Sequence, residues 1–201
     1  MAECKRIILP KPDTIGKVSL EEAIFKRRSQ REFIKKDITV EQLSQILWAA
    51  QGVTLKHWGY EFRTAPSAGA LYPIELYVVS KDGLFHYLCQ EHTLEVISEK
   101  DLRYKLYESA LYQDSIMQAP LSIVICAVYE RVTSKYGQRG IRYVHIEVGH
   151  VAQNIHLEVV ALGLGSVPIG AFDDEKVIKL LNLPKDCKPL YIIPVGWPLT
   201  K

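Results

Sequence analysis

No apolar run in this 201-residue chain approaches the ~20 residues that a membrane-spanning helix needs. Stretches such as LSIVICAVY and LYIIPVGW fall well short, so no bilayer span is expected. The N-terminus, MAECKRIILPKPD, also lacks the apolar core of a signal peptide, which makes a cytoplasmic location the expectation. Charge of one sign is missing as well. With 25 Lys and Arg against 23 Asp and Glu, the formal charge of +2 gives no bulk attraction to nucleic acid or to an acidic membrane. Any anion site must therefore be local.

Cysteine pairs are absent too. Cys4, Cys89, Cys126 and Cys187 are scattered without a CxxC, which removes a zinc knuckle or dithiol redox motif and leaves reduced structural thiols. No GxSxG marks a hydrolase nucleophile, and no internal repeat is present. His145 and His150 fall on one helical stretch, but five residues turn them about 500°, onto different faces, so they cannot share a metal. GLGSVPIGAF, from Gly163 to Phe172, has the wrong glycine spacing for a dinucleotide loop and follows a helix where such a loop follows a strand.

With 48% hydrophobic residues, the chain has enough apolar material for one substantial core. A single domain over residues 1–201 is expected, residues 1–16 being an N-terminal extension. Ser19 with Glu22 and Thr39 with Gln42 form capping-box patterns. The second opens a stripe of Leu43, Ile46, Leu47 and Ala50 that Gly52 stops. Val144, Val148, Val151, Ile155 and Val159 predict one long helix from Arg139 to Leu162. Leu102, Leu106 and Ala110 predict a helix that ends before Ala119-Pro120, and DDEKVIKLLNL a short one.

IELYVVS, GLFHYL and TLEVI read as a meander, LSIVICAVY as a central strand buried on both faces, and PLYIIPVGW as the last strand. The mixture lacks a βαβ alternation, so the fold class is α+β.

Two stretches suit a ligand. KRRSQREF sets Arg27, Arg28 and Arg31 around the Ser29 hydroxyl, a pattern that clamps phosphate but equally suits a solvated helix end. APSAGALYP offers backbone without bulk, which lets a flat or anionic ligand approach and also suits a tight turn. Tyr72, Tyr112 and Tyr143 are candidate substrate-side aromatics, or plain core and rim residues.

Taken in order, RRSQREF, APSAGALYPIELYVV, GHVAQNIHLEVVALGLGSVPIGAF and the terminal VGW resemble the nitroreductase family, with the SagB-type dehydrogenases as the nearest branch. The resemblance runs from about Leu20 to Pro198. It implies a bound FMN, a central mainly antiparallel sheet flanked by helices, and a homodimer with its sites at the subunit interface.

In that family the first motif holds the phosphate and ribityl chain, here Arg27, Arg28, Ser29 and Arg31. The second comes from the other subunit and covers the ring, here Pro66, Ser67, Ala68, Gly69 and Leu71. The third brings backbone N–H groups near the flavin N5, here Pro168, Ile169, Gly170 and Ala171. Gln113 is a further candidate for the ring. No side-chain acid or base is implied, because NAD(P)H gives hydride through flavin N5 to a small organic acceptor. The apolar surface of the long helix is a further reason to expect the dimer.

Azoline oxidation in peptide modification, or flavin binding without turnover, are the alternatives. The sequence departs from the older branch in having Gly170 where an acid stands there, Ala70 where an amide stands, and only Lys201 for a C-terminal contact to phosphate.

Overall fold

The computed structural model describes residues 5–57 and 59–199, so Cys4 and Lys201 lie outside the described residues. The chain lays down β1 (Arg6–Ile8) and then α1 (Leu20–Lys26), which starts where the Ser19 hydroxyl accepts from the Glu22 N–H at 3.1 Å. After the short β2 (Phe33–Ile34) comes α2 (Val40–Gln51). There Thr39 and Gln42 form the reciprocal capping box and Gly52 ends the helix, as the spacing predicts. A hairpin of β3 (Val53–His57) and β4 (Tyr60–Arg63) leads into the small-residue loop.

Next come the meander β5 (Ile74–Ser80), β6 (Gly83–Leu88) and β7 (Thr93–Ser98), and the helices α3 (Arg103–Ser109) and α4 (Asp114–Gln118). β8 (Leu121–Val128) is followed by α5 (Glu130–Tyr136) and the long α6 (Arg139–Ala161). β9 (Gly165–Ser166), α7 (Asp174–Leu181) and β10 (Cys187–Pro198) complete the chain.

The main sheet runs β1-β7-β6-β5-β8-β10-β2, with β9 beside β10, and every pairing is antiparallel. β8 lies between β5 and β10 with all eight residues buried, and its side chains alternate between two cores. Ile123 and Ile125 face the stripe of α6, where Val144, Val148, Val151, Ile155 and Val159 pack with Ile46 and Leu47 of α2. Val124 and Cys126 face Leu106, Ile116, Val177 and Leu181 from α3, α4 and α7. Each fully buried aliphatic side chain contributes about 1.5–3 kcal/mol relative to exposure, so the sheet is fixed from both sides. This is the α+β arrangement expected, with a mainly antiparallel sheet between helical layers.

Three local features differ from the sequence reading. The helix expected from Leu102 to Ala119 is two helices, because Leu111 and Tyr112 both take left-handed backbone, with φ of 57° and 58°, between α3 and α4. The β3–β4 hairpin and α5 were not anticipated. Residues 6–8 pair with β7 as an edge strand, and Leu9 beyond them is buried. Cys89, Cys126 and Cys187 are free thiols. Among the described residues, no helix is long and apolar enough to cross a membrane.

Candidate functional site

The arginine cluster sits where α1 ends. Arg27 leaves helical geometry, and Arg28 folds back so that its Nη1 donates to the Phe25 and Arg27 carbonyls at 3.0 and 2.7 Å. Arg28 therefore caps the helix C-terminus, where a cation also suits the dipole. Arg27, Ser29 and Arg31 are left, and among the described residues no acid pairs with either arginine.

β9 holds this turn. Ser29 bridges Ser166, and the Gln30 N–H donates to the Ser166 carbonyl at 2.9 Å. Gly165 is required for that approach, since a Cβ there would stand 2.8 Å from Cβ of Gln30. Beneath it, His156 on α6 shares a 2.8 Å hydrogen bond between Nδ1 and the Ser166 hydroxyl. Burial, and secondarily the Arg27 charge, push the imidazole pKa down to about 4, so it is neutral and does not add to the positive cluster.

From Ser166 the chain extends to the third predicted motif. The Ile169 N–H and carbonyl are both spent on Ile192, at 2.8 and 2.9 Å, and Pro168 has no N–H. The free backbone donors are therefore those of Gly170 and Ala171, both exposed, for which no acceptor exists among the described residues. Gln113 reaches this point from the α3–α4 turn, its Nε2 donating to the carbonyls of Ala171 and Ala110 at 2.9 and 3.1 Å. The first and third motifs and Gln113 thus lie along one continuous stretch, residues 165–171.

The small-residue loop is elsewhere. Gly69, Ala70 and Tyr72 all have left-handed φ, of 65°, 53° and 46°, which stores strain in a loop with little side chain to pack. The Ser67 hydroxyl accepts from the Tyr72 N–H at 2.9 Å, and Arg131 on α5 donates to the Tyr72 carbonyl at 2.9 Å. A Cβ on Gly69 would stand 2.7 Å from the Tyr136 hydroxyl and 3.1 Å from Lys135 Nζ. Glycine there lets α5 close over the loop, and Arg131, Lys135 and Tyr136 are residues that the sequence reading passed over. Glu75 secures Arg131 at 2.6 Å and shares a 2.7 Å contact with His86.

Of the three tyrosines, Tyr72 is buried, Tyr112 is exposed and Tyr143 packs edge-to-face on Tyr136. The five stripe residues of α6 are covered by the protomer's own core, so they do not leave the uncovered apolar surface that was expected. The exposed apolar side chains are others: Ile141 and Ile146 on α6, and Leu20, Ile24 and Phe25 on α1.

Comparison with known proteins identifies related sequences and a related fold. A sequence model described as the Nitroreductase family matches residues 24–197. A Methanocaldococcus jannaschii protein whose name assigns it to the nitroreductases is 42% identical over 202 residues, 98% of each chain. A Bacillus subtilis FMN reductase [NAD(P)H] is 27% identical over 187 residues, 85% of this chain and 62% of its own. A crystal structure from Ralstonia eutropha, also titled as a nitroreductase, superposes with a TM-score of 0.87 at 31% identity, covering 98% of this chain and 90% of that one.

Proposed function

Because the chain belongs to the nitroreductase family, we propose that it is an FMN-dependent oxidoreductase that takes NAD(P)H as reductant and passes electrons to a small organic acceptor such as a nitro compound or quinone. The observation that carries this reading is the stretch from Gly165 to Ala171. At one end stand Ser29, Arg27 and Arg31, and at the other the N–H groups of Gly170 and Ala171, the two arginines and both N–H groups having no partner among the described residues. That donor set fits a ligand with a phosphate at one end and a carbonyl-rich ring at the other.

When bound, the flavin supplies hydride transfer at N5, and the chain supplies placement and electrostatics. Arg27, Arg31 and the Ser29 hydroxyl would hold the phosphate by charge-assisted hydrogen bonds. The Gly170 and Ala171 N–H groups would face the ring edge where negative charge develops, with Gln113 bracing Ala171. Neutral His156 would steady Ser166 beneath the phosphate end without titrating near pH 7.

The ring's other face would be covered by Pro66, Ser67, Ala68, Gly69 and Leu71 of a second copy, so that a homodimer carries two sites. The exposed apolar residues of α1 and α6 are the surface that such a dimer would cover. The absorption spectrum of the purified protein tests the cofactor and the reaction class together. Oxidised-flavin bands that bleach with NADH or NADPH under anaerobic conditions are expected. A colourless protein that takes up no FMN on incubation would contradict the proposal.

A further inference from the structure

Glu147 lies on α6 with 2% of its surface exposed, and an acid so buried costs free energy unless partners meet it. Three groups face its carboxyl: the Ser67 hydroxyl from the small-residue loop, the Gln51 amide from α2 and the Arg63 guanidinium from β4. These are also joined to one another. Arg63 Nη1 donates to Gln51 Oε1 at 3.0 Å, and its guanidinium stacks 4.4 Å from the centre of the Tyr72 ring. The Arg63 backbone N–H donates to the Tyr72 hydroxyl at 3.1 Å, and the Tyr72 N–H donates to Ser67 Oγ at 2.9 Å. A hydrogen-bonded chain therefore runs from Ser67 through Tyr72 and Arg63 to Gln51, and the Glu147 carboxyl lies beside both of its ends, where Glu147 Oε1 and Gln51 Nε2 are buried without a hydrogen-bond partner among the described residues.

The hydroxyl of Ser67 has one proton to give. Its oxygen already accepts from Tyr72, and an acceptor for that proton, the Glu147 carboxyl, stands within reach. Between Ser67 and Tyr72 lie Gly69 and Ala70 in left-handed backbone, a shape that small side chains cannot hold by packing. A hydrogen bond from Ser67 to Glu147 would supply the constraint that packing does not.

We propose that Glu147 is the positioning residue of the Pro66–Leu71 loop, its carboxylate accepting the Ser67 hydroxyl proton and so fixing the loop in the shape that meets the flavin. The last clause rests on the FMN reading, whereas the ordering of the loop does not. Desolvation raises the carboxyl pKa to about 7, with Ser67, Arg63 and Gln51 opposing, and Arg63 is the one charged side chain among those contributors. Above that pH the charged carboxylate is the stronger acceptor. Below it the protonated carboxyl is a weaker acceptor and can instead donate to the second lone pair of the Ser67 oxygen. The hydrogen bond from Ser67 to Glu147 thus strengthens through pH 7.

Hydrogen exchange at the Tyr72 amide of the flavin-free protein, referred to Val124 in β8, reads this without any ligand. We expect Glu147→Gln and Ser67→Ala each to lower Tyr72 protection by roughly tenfold, the scale of one lost hydrogen bond, with the double variant no lower than either. Glu147→Asp should retain part of it. In the wild type the same ratio should rise from pH 6 to pH 8, which decides the matter even where a variant fails to fold. In parallel, FMN affinity by fluorescence quenching should climb through a step near pH 7 that Glu147→Gln removes. Unchanged Tyr72 protection in a folded Glu147→Gln, additive losses in the double variant, or a wild-type ratio flat with pH would overturn the proposal. Failure of the wild type to bind FMN at any pH would instead defeat the cofactor assignment, and the exchange result would still stand.

Discussion

Glu147 and His156 project from opposite flanks of α6: nine residues at about 100° each amount to two and a half turns, with about 13 Å of rise between them. Glu147 faces the small-residue loop, and His156 faces the turn that presents Arg27 and Ser29. The two halves expected of one flavin site therefore stand on different sides of the same helix. Under the proposed homodimer, a second copy would bring its own loop to the arginine side and complete the site without any rearrangement of the protomer.

The arginines should divide by role. Replacing Arg27 and Arg31 together with alanine should weaken FMN binding by about 100-fold or more, since charge-assisted hydrogen bonds are each worth about 1.5–3 kcal/mol. Arg28→Ala should leave affinity within a few-fold and cost about 0.3–1 kcal/mol of stability, because its guanidinium serves the end of α1. Flavin fluorescence titration and urea unfolding of the three proteins check both halves. A loss of affinity in Arg28→Ala as large as in the double variant would show that Arg28 leaves the helix end to bind phosphate.

Gly165→Ala should disturb the same site through backbone alone. The added methyl would meet Gln30 at 2.8 Å and push the arginine turn off Ser166, while φ at Gly165 imposes no barrier of its own. Loss of FMN affinity of about tenfold or more is expected, with a fold that stays intact by circular dichroism. Unchanged affinity would mean that the turn does not need β9.

The released cofactor should be FMN. The arginine turn can end the ligand at one phosphate, and the 163–172 stretch has neither the spacing nor the strand-to-helix context of an adenosine-binding loop. Heat release followed by chromatography identifies it, and recovery of FAD would refute the phosphate assignment.

Two buried groups should also oppose each other in the pH dependence of stability. His156 falls from an ordinary 6.5 to about 4 in the folded state, so the unfolded chain binds the extra proton between those values, and stability drops as pH falls from 6.5 to 4, by up to about 3 kcal/mol. Glu147 rises from 4.5 to about 7, so the folded state holds the extra proton, and stability drops as pH climbs from 4.5 to 7. In the wild type the two slopes largely offset between pH 4.5 and 6.5. Glu147→Gln should expose the histidine slope, with urea midpoints rising from pH 4.5 to 6.5. A midpoint that falls with pH in that variant would contradict the assignment.

Much of the architecture was legible because it rests on local chemistry. Thr39 and Gln42 cap α2, and the valine stripe of α6 repeats every three or four residues, so both helices follow from spacing. The α3–α4 break did not, because Leu111 and Tyr112 take left-handed backbone with neither glycine nor proline to announce it. α5 was missed for another reason. Its sequence ERVTSKY buries only Val132, so it has no stripe, and its importance comes from Arg131, Lys135 and Tyr136 reaching a loop some sixty residues earlier.

At the site, the arginine turn and Gly170 stand out as residue types, whereas the hydrogen bond from Gln113 to the Ala171 carbonyl is visible only in the folded chain. Glu147 and His156 were hidden inside a stripe that reads as core, and only their tertiary neighbours give them a role.

The central claim, a flavin site built from two copies of this chain, is tested most directly by complementation. One variant carries Arg27→Ala with Arg31→Ala and leaves its loop intact, and the other carries Gly69→Val, which blocks the loop against Tyr136 and leaves its arginines intact. Neither alone should retain FMN after dialysis. Unfolded and refolded together, random pairing makes half of the dimers mixed, and each mixed dimer regains one whole site of its two, so FMN absorbance should recover to about a quarter of the wild-type amount. A mixture that stays colourless, while a wild-type sample taken through the same steps recovers its flavin as a ~46 kDa species by light scattering, would contradict the shared site.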